Sequence, residues 1–287
     1  MSKETSQEAS QKNSQYNLDD LLYLMERLRK PITGCPWDLK QDYRSIAPST
    51  LEEAYEVVDA IEKSDYTHLK EELGDLLFQV IFYAQLAAEE KRYNFSDILH
   101  TLTDKLIRRH PHVFPEETLH SERLIGDDQQ ERQQEKKIRD NWEKIKEQER
   151  REKGQQGLLS DVPLALTALN RAAKLQKRAA RVGFDWTETS DVIAKIREEI
   201  AELEEAIANK DNDNIKEELG DVLFTCVNLS RHLKIDAEQS LRESNQKFEK
   251  RIEWIDTELK NQQKTWQDCD EKVLDTMWNE AKISLKI

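Results

Sequence analysis

The sequence predicts an all-α protein built from two copies of one helical module joined by a polar helical connector. Three observations carry this. Chain breakers are scarce, with 7 Gly and 6 Pro in 287 residues, whereas charged residues make up 36%. Apolar residues recur at helical spacing, first at Leu21, Leu22, Met25 and Leu28. The segment Lys70–Phe78 (KEELGDLLF) returns at Lys216–Phe224 (KEELGDVLF) with eight of nine positions identical, a shift of 216 − 70 = 146.

Residues 1–17 are a Ser-, Gln-, Lys- and Glu-rich tail with little to bury, and are expected to be disordered. Helical periodicity begins at Leu18 and is broken by Pro31 and by Thr33-Gly34-Cys35-Pro36. A helix restarts after Pro48, where Ser49 or Thr50 can cap and Glu52 or Glu53 can close a capping box. Two more follow, at about 68–91 and 95–109, and complete a first module over 18–120. The segment 121–157 is polar on nearly every face, with Trp142 and Ile145 as its anchors, and reads as a charged helical linker. A second helical module occupies 158–287.

With 44 Lys+Arg against 58 Asp+Glu, the formal charge is 44 − 58 = −14. That balance argues against a nucleic-acid backbone as partner, since phosphates are repelled over most of the surface. No early run is long and apolar enough for a signal peptide or a membrane span. Cys35, Cys226 and Cys269 fit neither a disulfide framework nor a zinc spacing, so a soluble protein of a reducing compartment, the cytoplasm, is expected.

The repeat also carries the chemistry. At the same shift, Glu52-Glu53-x-x-Glu56 falls on Glu198-Glu199-x-x-Glu202. A single Glu-rich helix face is ordinarily solvated or paired with lysine. Here Glu72 and Asp75 stand at i, i+3 where the apolar run Leu76–Ala88 begins, and Glu218 and Asp221 repeat the arrangement. Glu53 and Glu56 share the same spacing on the preceding helix, which must return antiparallel after a short turn. Four carboxylates then converge from two helices, a costly cluster unless a hard divalent cation joins it. Magnesium is the natural ion, with manganese the alternative. The glycine in each Glu-Leu-Gly-Asp costs about 1 kcal/mol relative to alanine in a helix, which points to close approach of a neighbouring helix or ligand. A caged magnesium keeps positions open for water and phosphate oxygens, so cations should flank it. Lys195 lies four residues before Glu199, and Lys247 and Arg251 form an i, i+4 basic pair matched by Lys105 and Arg109. Arg171, Lys174, Lys177 and Arg178 make a further basic run. Singly each is an ordinary surface charge; together with the acidic clusters they favour phosphate chemistry.

Glu-Glu-x-x-Glu followed by Glu-x-x-Asp resembles the signature of the MazG family of nucleoside triphosphate pyrophosphohydrolases. The stretches CPWDLKQ, EELGDLLFQVIFYAQ, RRHPHVF, RAAKLQKRAARVGFDW and EELGDVLFTCVNLSRHL extend the likeness from residue 18 to about 280. The resemblance implies an all-α fold of two tandem four-helix modules that dimerise. It also implies magnesium-dependent hydrolysis of nucleoside triphosphates, ribo- or deoxyribo- and of any base, to monophosphate and pyrophosphate. Carried onto this chain, it makes Glu199, Glu202, Glu218 and Asp221 the catalytic metal ligands. Lys195, Lys247 and Arg251 then match positions that contact the triphosphate, and Trp278 matches a C-terminal aromatic near the nucleotide. Glu53, Glu56, Glu72 and Asp75 form the equivalent metal set of the first module. That module has Ser49 in place of Lys195 and no close partner for the tail carrying Trp278, so the second is expected to be the catalytic one.

The six histidines form no convincing ligand set. Glu117-x-x-His120 has di-iron spacing but no twin, which disfavours a carboxylate-bridged redox site. Trp37 and Trp186 read as core or lid aromatics. The alternative to an enzyme is a non-enzymatic helical regulatory scaffold whose acidic clusters only bind metal.

Overall fold

The computed structural model describes residues 15–121 and 157–286, with 138, 141–142, 145–149, 151–152 and 154 between them. The expected tail lies almost wholly outside these residues, as does most of the linker. Among the described residues all regular structure is helical. The chain divides into two compact units, Met1–Ile145 and Lys146–Ile287.

The first unit contains α1 (Leu18–Leu28), α2 (Ala47–Glu62), α3 (Tyr66–Glu89) and α4 (Phe95–Arg109). Asn17 and Asp20 form a capping box on α1, and Asn94 and Asp97 do the same on α4. Asp65 caps α3 by accepting from the Thr67 and His68 amides. The start of α2 differs from the sequence expectation. The helix begins at Ala47 with Ile46 as an N-cap that offers no side-chain bond, and Ser49 and Thr50 lie inside its first turn. Pro48 is the reason: lacking an N–H, it fits the first helical turn rather than preceding it. The Asp42 carboxylate organises the turn upstream, accepting from the Arg44 and Ser45 amides.

Helix α3 is the spine of this unit, with α1, α2 and α4 all packed on it. Met25, Ile46, Ile81, Phe82, Ala84, Leu86 and Phe95 form the core. Arg29, buried at the end of α1, ties the loop to the spine. Its guanidinium makes two 2.8 Å bonds to Glu89, donates to the carbonyls of Asp38 and Gln41, and lies 5.3 Å over the Phe82 ring. Gly34 is required there, since a Cβ would fall 2.3 Å from the Leu28 carbonyl oxygen. At the other end, Trp142 packs its ring 5.9 Å from that of His110, so one expected linker anchor does hold.

The second unit contains α5 (Ala168–Arg181), α6 (Thr189–Asn209), α7 (Asn212–His232), α8 (Ala237–Asn261) and α9 (Glu271–Leu285). The pair α6–α7 repeats α2–α3. Asp211 caps α7 at the position, 65 + 146, that corresponds to Asp65. Helix α5 packs on α7 and α8, and α9 packs on α8. A second apolar cluster, Ile255, Leu259 and Met277 with Trp254, Trp266 and Trp278 around it, fixes α9. Asp185, in the loop between α5 and α6, is gripped by Arg231 and by His232 at 3.0 Å.

Burial refines two expectations. The run Leu76–Ala88 is covered on every face from Ile81 to Ala87, but its start is open on one side, with Leu77 41% exposed. Trp37 and Trp186 are not core residues, at 62% and 41% exposed. The reading as lid aromatics is left open for both.

Burial raises the pKa of the Glu89 carboxyl, but its bonds to Arg29 and Gln85 outweigh this and hold it below the usual carboxylate range. A depressed folded-state pKa contributes stability above the unfolded value, near 4.3, that is lost as pH falls through the folded value. Glu89→Gln is therefore expected to cost about 1–2 kcal/mol at pH 7, discounted for its partial exposure. The difference from the parent chain should close toward pH 3, as read by urea denaturation across pH.

Candidate metal centre

In each unit the helix pair brings three glutamates together. Glu53 and Glu56 of α2 meet Glu72 of α3, and Glu199 and Glu202 of α6 meet Glu218 of α7. Within each trio, one oxygen from every carboxylate lies within 4.8 Å of the others. The i, i+3 spacing puts two on one face of the first helix, and the Asp65 or Asp211 cap sets where the third arrives on the second. Asp75 and Asp221, one turn further on, are exposed and lie outside the trios. Their charge still reaches in, raising the pKa values of Glu53 and Glu218 respectively.

Burial is the first cause of the raised Glu53, Glu72, Glu202 and Glu218 pKa values, and the neighbouring carboxylates add to it. Glu199 and Glu72 are the most enclosed, at 6% and 7% exposed. Each takes a different counter-charge. Lys195 stands 2.9 Å from Glu199 and 2.6 Å from Glu198, and these hydrogen bonds raise its pKa. At Glu72 the partner is His68, whose Nδ1 lies 3.1 Å away, one turn earlier on α3. The sequence reading missed His68. Its signal was the i−4 spacing before Glu72, hidden because the repeat places Asn214 at the equivalent position.

The remaining predicted residues form a separate group on α8–α9. The Arg251 guanidinium lies 5.1 Å over the Trp278 ring, with Phe248 5.5 Å and Lys282 5.9 Å from the same ring. Lys247, one turn before Arg251, is exposed. Lys105 and Arg109 lie in the last turns of α4. A Cβ on Gly74 or Gly220 would meet nothing within 4 Å, so the neighbouring helix or ligand expected there is not one of the unit's own helices. Both lie on the uncovered side of their helices, so no close approach inside the unit demands them.

A hard divalent cation fits these trios. Oxygen donors converge from two helices, their acidity is suppressed by burial and then by mutual repulsion, and the exposed aspartate lies to one side. Fold and site thus define an all-α protein with a duplicated carboxylate site able to hold a divalent cation. Comparison with known proteins sharpens this. Residues 41–114 and 187–255 match the MazG nucleotide pyrophosphohydrolase domain, one match in each unit. The nucleoside triphosphate pyrophosphohydrolase of Escherichia coli (strain K12) is 46% identical over 267 residues, covering 92% of this chain and 97% of its own. The nucleoside triphosphate pyrophosphohydrolase/pyrophosphatase MazG of Thermotoga maritima is 38% identical over 264 residues, 92% and 95% of the two chains. A Bacillus subtilis protein, uncharacterized protein YabN, is 38% identical over 260 residues, half of its own length. The chain belongs to the MazG family.

Raised carboxylate pKa values weaken the metal-free fold as pH climbs from the unfolded value through the folded one, and a bound cation cancels that loss. Magnesium is expected to raise Tm at pH 7.5 and to raise it less at pH 5, where protons compete for the trios. Differential scanning fluorimetry with and without EDTA reads this, and a Glu53→Gln/Glu199→Gln double variant should lose most of the gain.

Proposed function

We propose that this protein hydrolyses nucleoside triphosphates, ribo- and deoxyribo-, to monophosphate and pyrophosphate, and that residues 158–287 form the working module. The observation that carries the reading is Lys195 against Glu199. A permanent cation faces the carboxylate site in the second unit, where the first has Ser49 and relies on His68. Glu199, Glu202 and Glu218 would hold magnesium, with Asp221 as the outer fourth ligand. When bound, the ion supplies charge neutralisation at the phosphates and acidifies a water.

The chain's own residues do the rest. Lys195 screens the trio from its own repulsion and offers its remaining N–H donors to a phosphate oxygen. Lys247 and Arg251 supply positive charge from α8, and Arg251 braces Trp278 for stacking. A ring face accepts any base, because it reads none of the hydrogen-bonding edges, which supports broad tolerance. Glu53, Glu56, Glu72 and Asp75 retain the metal-holding set in residues 18–120, a secondary site in this reading. Three free thiols and a nucleotide substrate support the cytoplasm as its place of work, and no described helix is long and apolar enough to cross a membrane.

Dimerisation belongs to the same reading. Leu73 and Leu77 on α3 are 50% and 41% exposed, and their repeat partners Leu219 and Leu223 on α7 are 49% and 54% exposed. Two units expose the same stripe, beside glycines with open space around them. A helix pair from a second copy would cover it and account for both.

With magnesium and a panel of NTPs and dNTPs, Glu199→Gln and Glu218→Gln are expected to lose at least about a hundredfold in pyrophosphate release, while Glu53→Gln keeps more than half. Undiminished turnover in the α6–α7 variants would sink the assignment. Light scattering after gel filtration should report a dimer, shifted toward monomer by Leu77→Glu/Leu223→Glu.

A further inference from the structure

Far from the carboxylate trio, the second unit has a cavity of about 520 Å³ between α5, the end of α7 and the start of α8. Arg231 on its wall lies thirteen residues beyond Glu218 on the same helix, about 20 Å along the axis. Four cations line this cavity, Lys174, Lys177, Arg231 and Lys234, on a chain whose net charge is −14. The two acids on the wall, each held by a neutral donor, leave the lining with more cations than carboxylates. Asp236 accepts the Gln239 amide at 2.9 Å, and Glu238 accepts the Thr167 hydroxyl at 2.6 Å. Arg231 is held by Asp185 and Asn228. Lys174, Lys177 and Lys234 are exposed and make no ion pair among the described residues.

The duplication supplies an internal control. The first unit has a cavity of about 400 Å³ at the same place in the fold. Ile81 and Gln85 line it at the positions of Val227 and Arg231, under the shift of 146. Asn94, Phe95 and Ser96 line it at those of Asp236, Ala237 and Glu238, under the shift of 142 that relates α4 to α8. Its charged lining residues are Asp19 and Glu26, with no lysine or arginine. The fold therefore makes the cavity twice, and only the second copy is furnished with cations. Packing does not require them.

We propose that the cavity of α5, α7 and α8 is a second anion site, distinct from the carboxylate centre. Its ligand is a phosphorylated small molecule of mononucleotide size. The three unengaged lysines meet the phosphate charge, and Leu169, Val227 and Ile235 offer an apolar wall to the rest of the molecule. The volume lies within the range of small-molecule sites. Such a site depends on short-range charge and weakens with salt.

The test uses the full chain carrying Glu199→Gln, in EDTA, so that metal-assisted binding at the trio is suppressed. Isothermal titration with AMP, ADP and inorganic pyrophosphate is run at low and high salt. Saturable binding of one ligand per chain is expected. It should weaken at least tenfold in Lys174→Gln/Lys177→Gln/Lys234→Gln and be unchanged in Lys195→Gln/Lys247→Gln. Tighter binding of AMP or ADP than of pyrophosphate identifies a nucleotide as the ligand, and equal binding identifies the phosphate group alone. No saturable binding of any probe overturns the proposal, as does loss in the Lys195/Lys247 variant with retention in the triple one. The single charge reversal Lys234→Glu repeats the test if the triple variant has a lowered Tm. Because the readout is binding without metal, its failure leaves the hydrolytic reading standing, and failure of hydrolysis leaves this site standing.

Discussion

The structure is organised around a repulsion. Three glutamates in each unit are held with their oxygens within 4.8 Å, against both mutual charge and partial burial. No side chain would settle there unaided, so the backbone must impose the arrangement. It does so with rigid means: an antiparallel helix pair, a turn of a few residues, and an aspartate cap that sets the first residue of the second helix. Once Asp65 or Asp211 fixes that start, the third glutamate of each trio arrives opposite the first two. The apolar sides of α3 and α7 then supply the packing that keeps the pair closed. A frame that spends stability on gathering like charges is a frame built to receive a cation.

How the two units relieve the repulsion separates them. Lysine at 195 carries its charge throughout the physiological range, and it bonds Glu198 and Glu199 together from their own helix. In the first unit the counter-charge comes from His68 on the other helix, and a histidine provides it only when protonated. The scaffold is conserved between the halves while the electrostatics are not. The same holds at the far end of the units, where one cavity is lined with cations and its twin with Asp19 and Glu26. Duplication here kept geometry and redistributed charge, the cheaper quantity to change on a helix surface.

What the sequence made legible follows the same division. The helices, and three of the four carboxylates expected at each site, were readable because both depend on periodic spacing, and the shift of 146 exposed that spacing twice; Asp75 and Asp221 fall outside the trios. The α2 start was misplaced because Pro48 was read as a breaker when it is a first-turn residue. His68 was invisible because its contact depends on a rotamer across one turn and has no counterpart in the repeat. The glycines of the two Glu-Leu-Gly-Asp segments pointed to a neighbouring helix or ligand, and which of the two was not legible, because nothing of the unit itself lies within 4 Å of a Cβ there. In each failure the missing information was tertiary: which side of a helix is covered, and by what. Leu77 and Leu223 look like core residues by composition, and only the fold shows them facing outward.

An acidic protein that handles polyanions faces a difficulty that its net charge of −14 makes plain. At physiological ionic strength charges are screened over about 8 Å, so the bulk of the surface acidity acts only weakly on a triphosphate at a distance. Within that range, however, every nearby carboxylate opposes it. Affinity must then come from cations placed at contact distance, the role proposed for Lys195, Lys247 and Arg251 at the carboxylate site and for Lys174, Lys177 and Lys234 at the cavity. A magnesium ion held by the trio would offset two of its three negative charges and leave open coordination positions for phosphate oxygens, so that the strongest local repulsion is largely removed. The acidic cluster, whose like charges oppose one another in the metal-free fold, is thus the part that a bound cation would turn into a phosphate-binding surface on this chain.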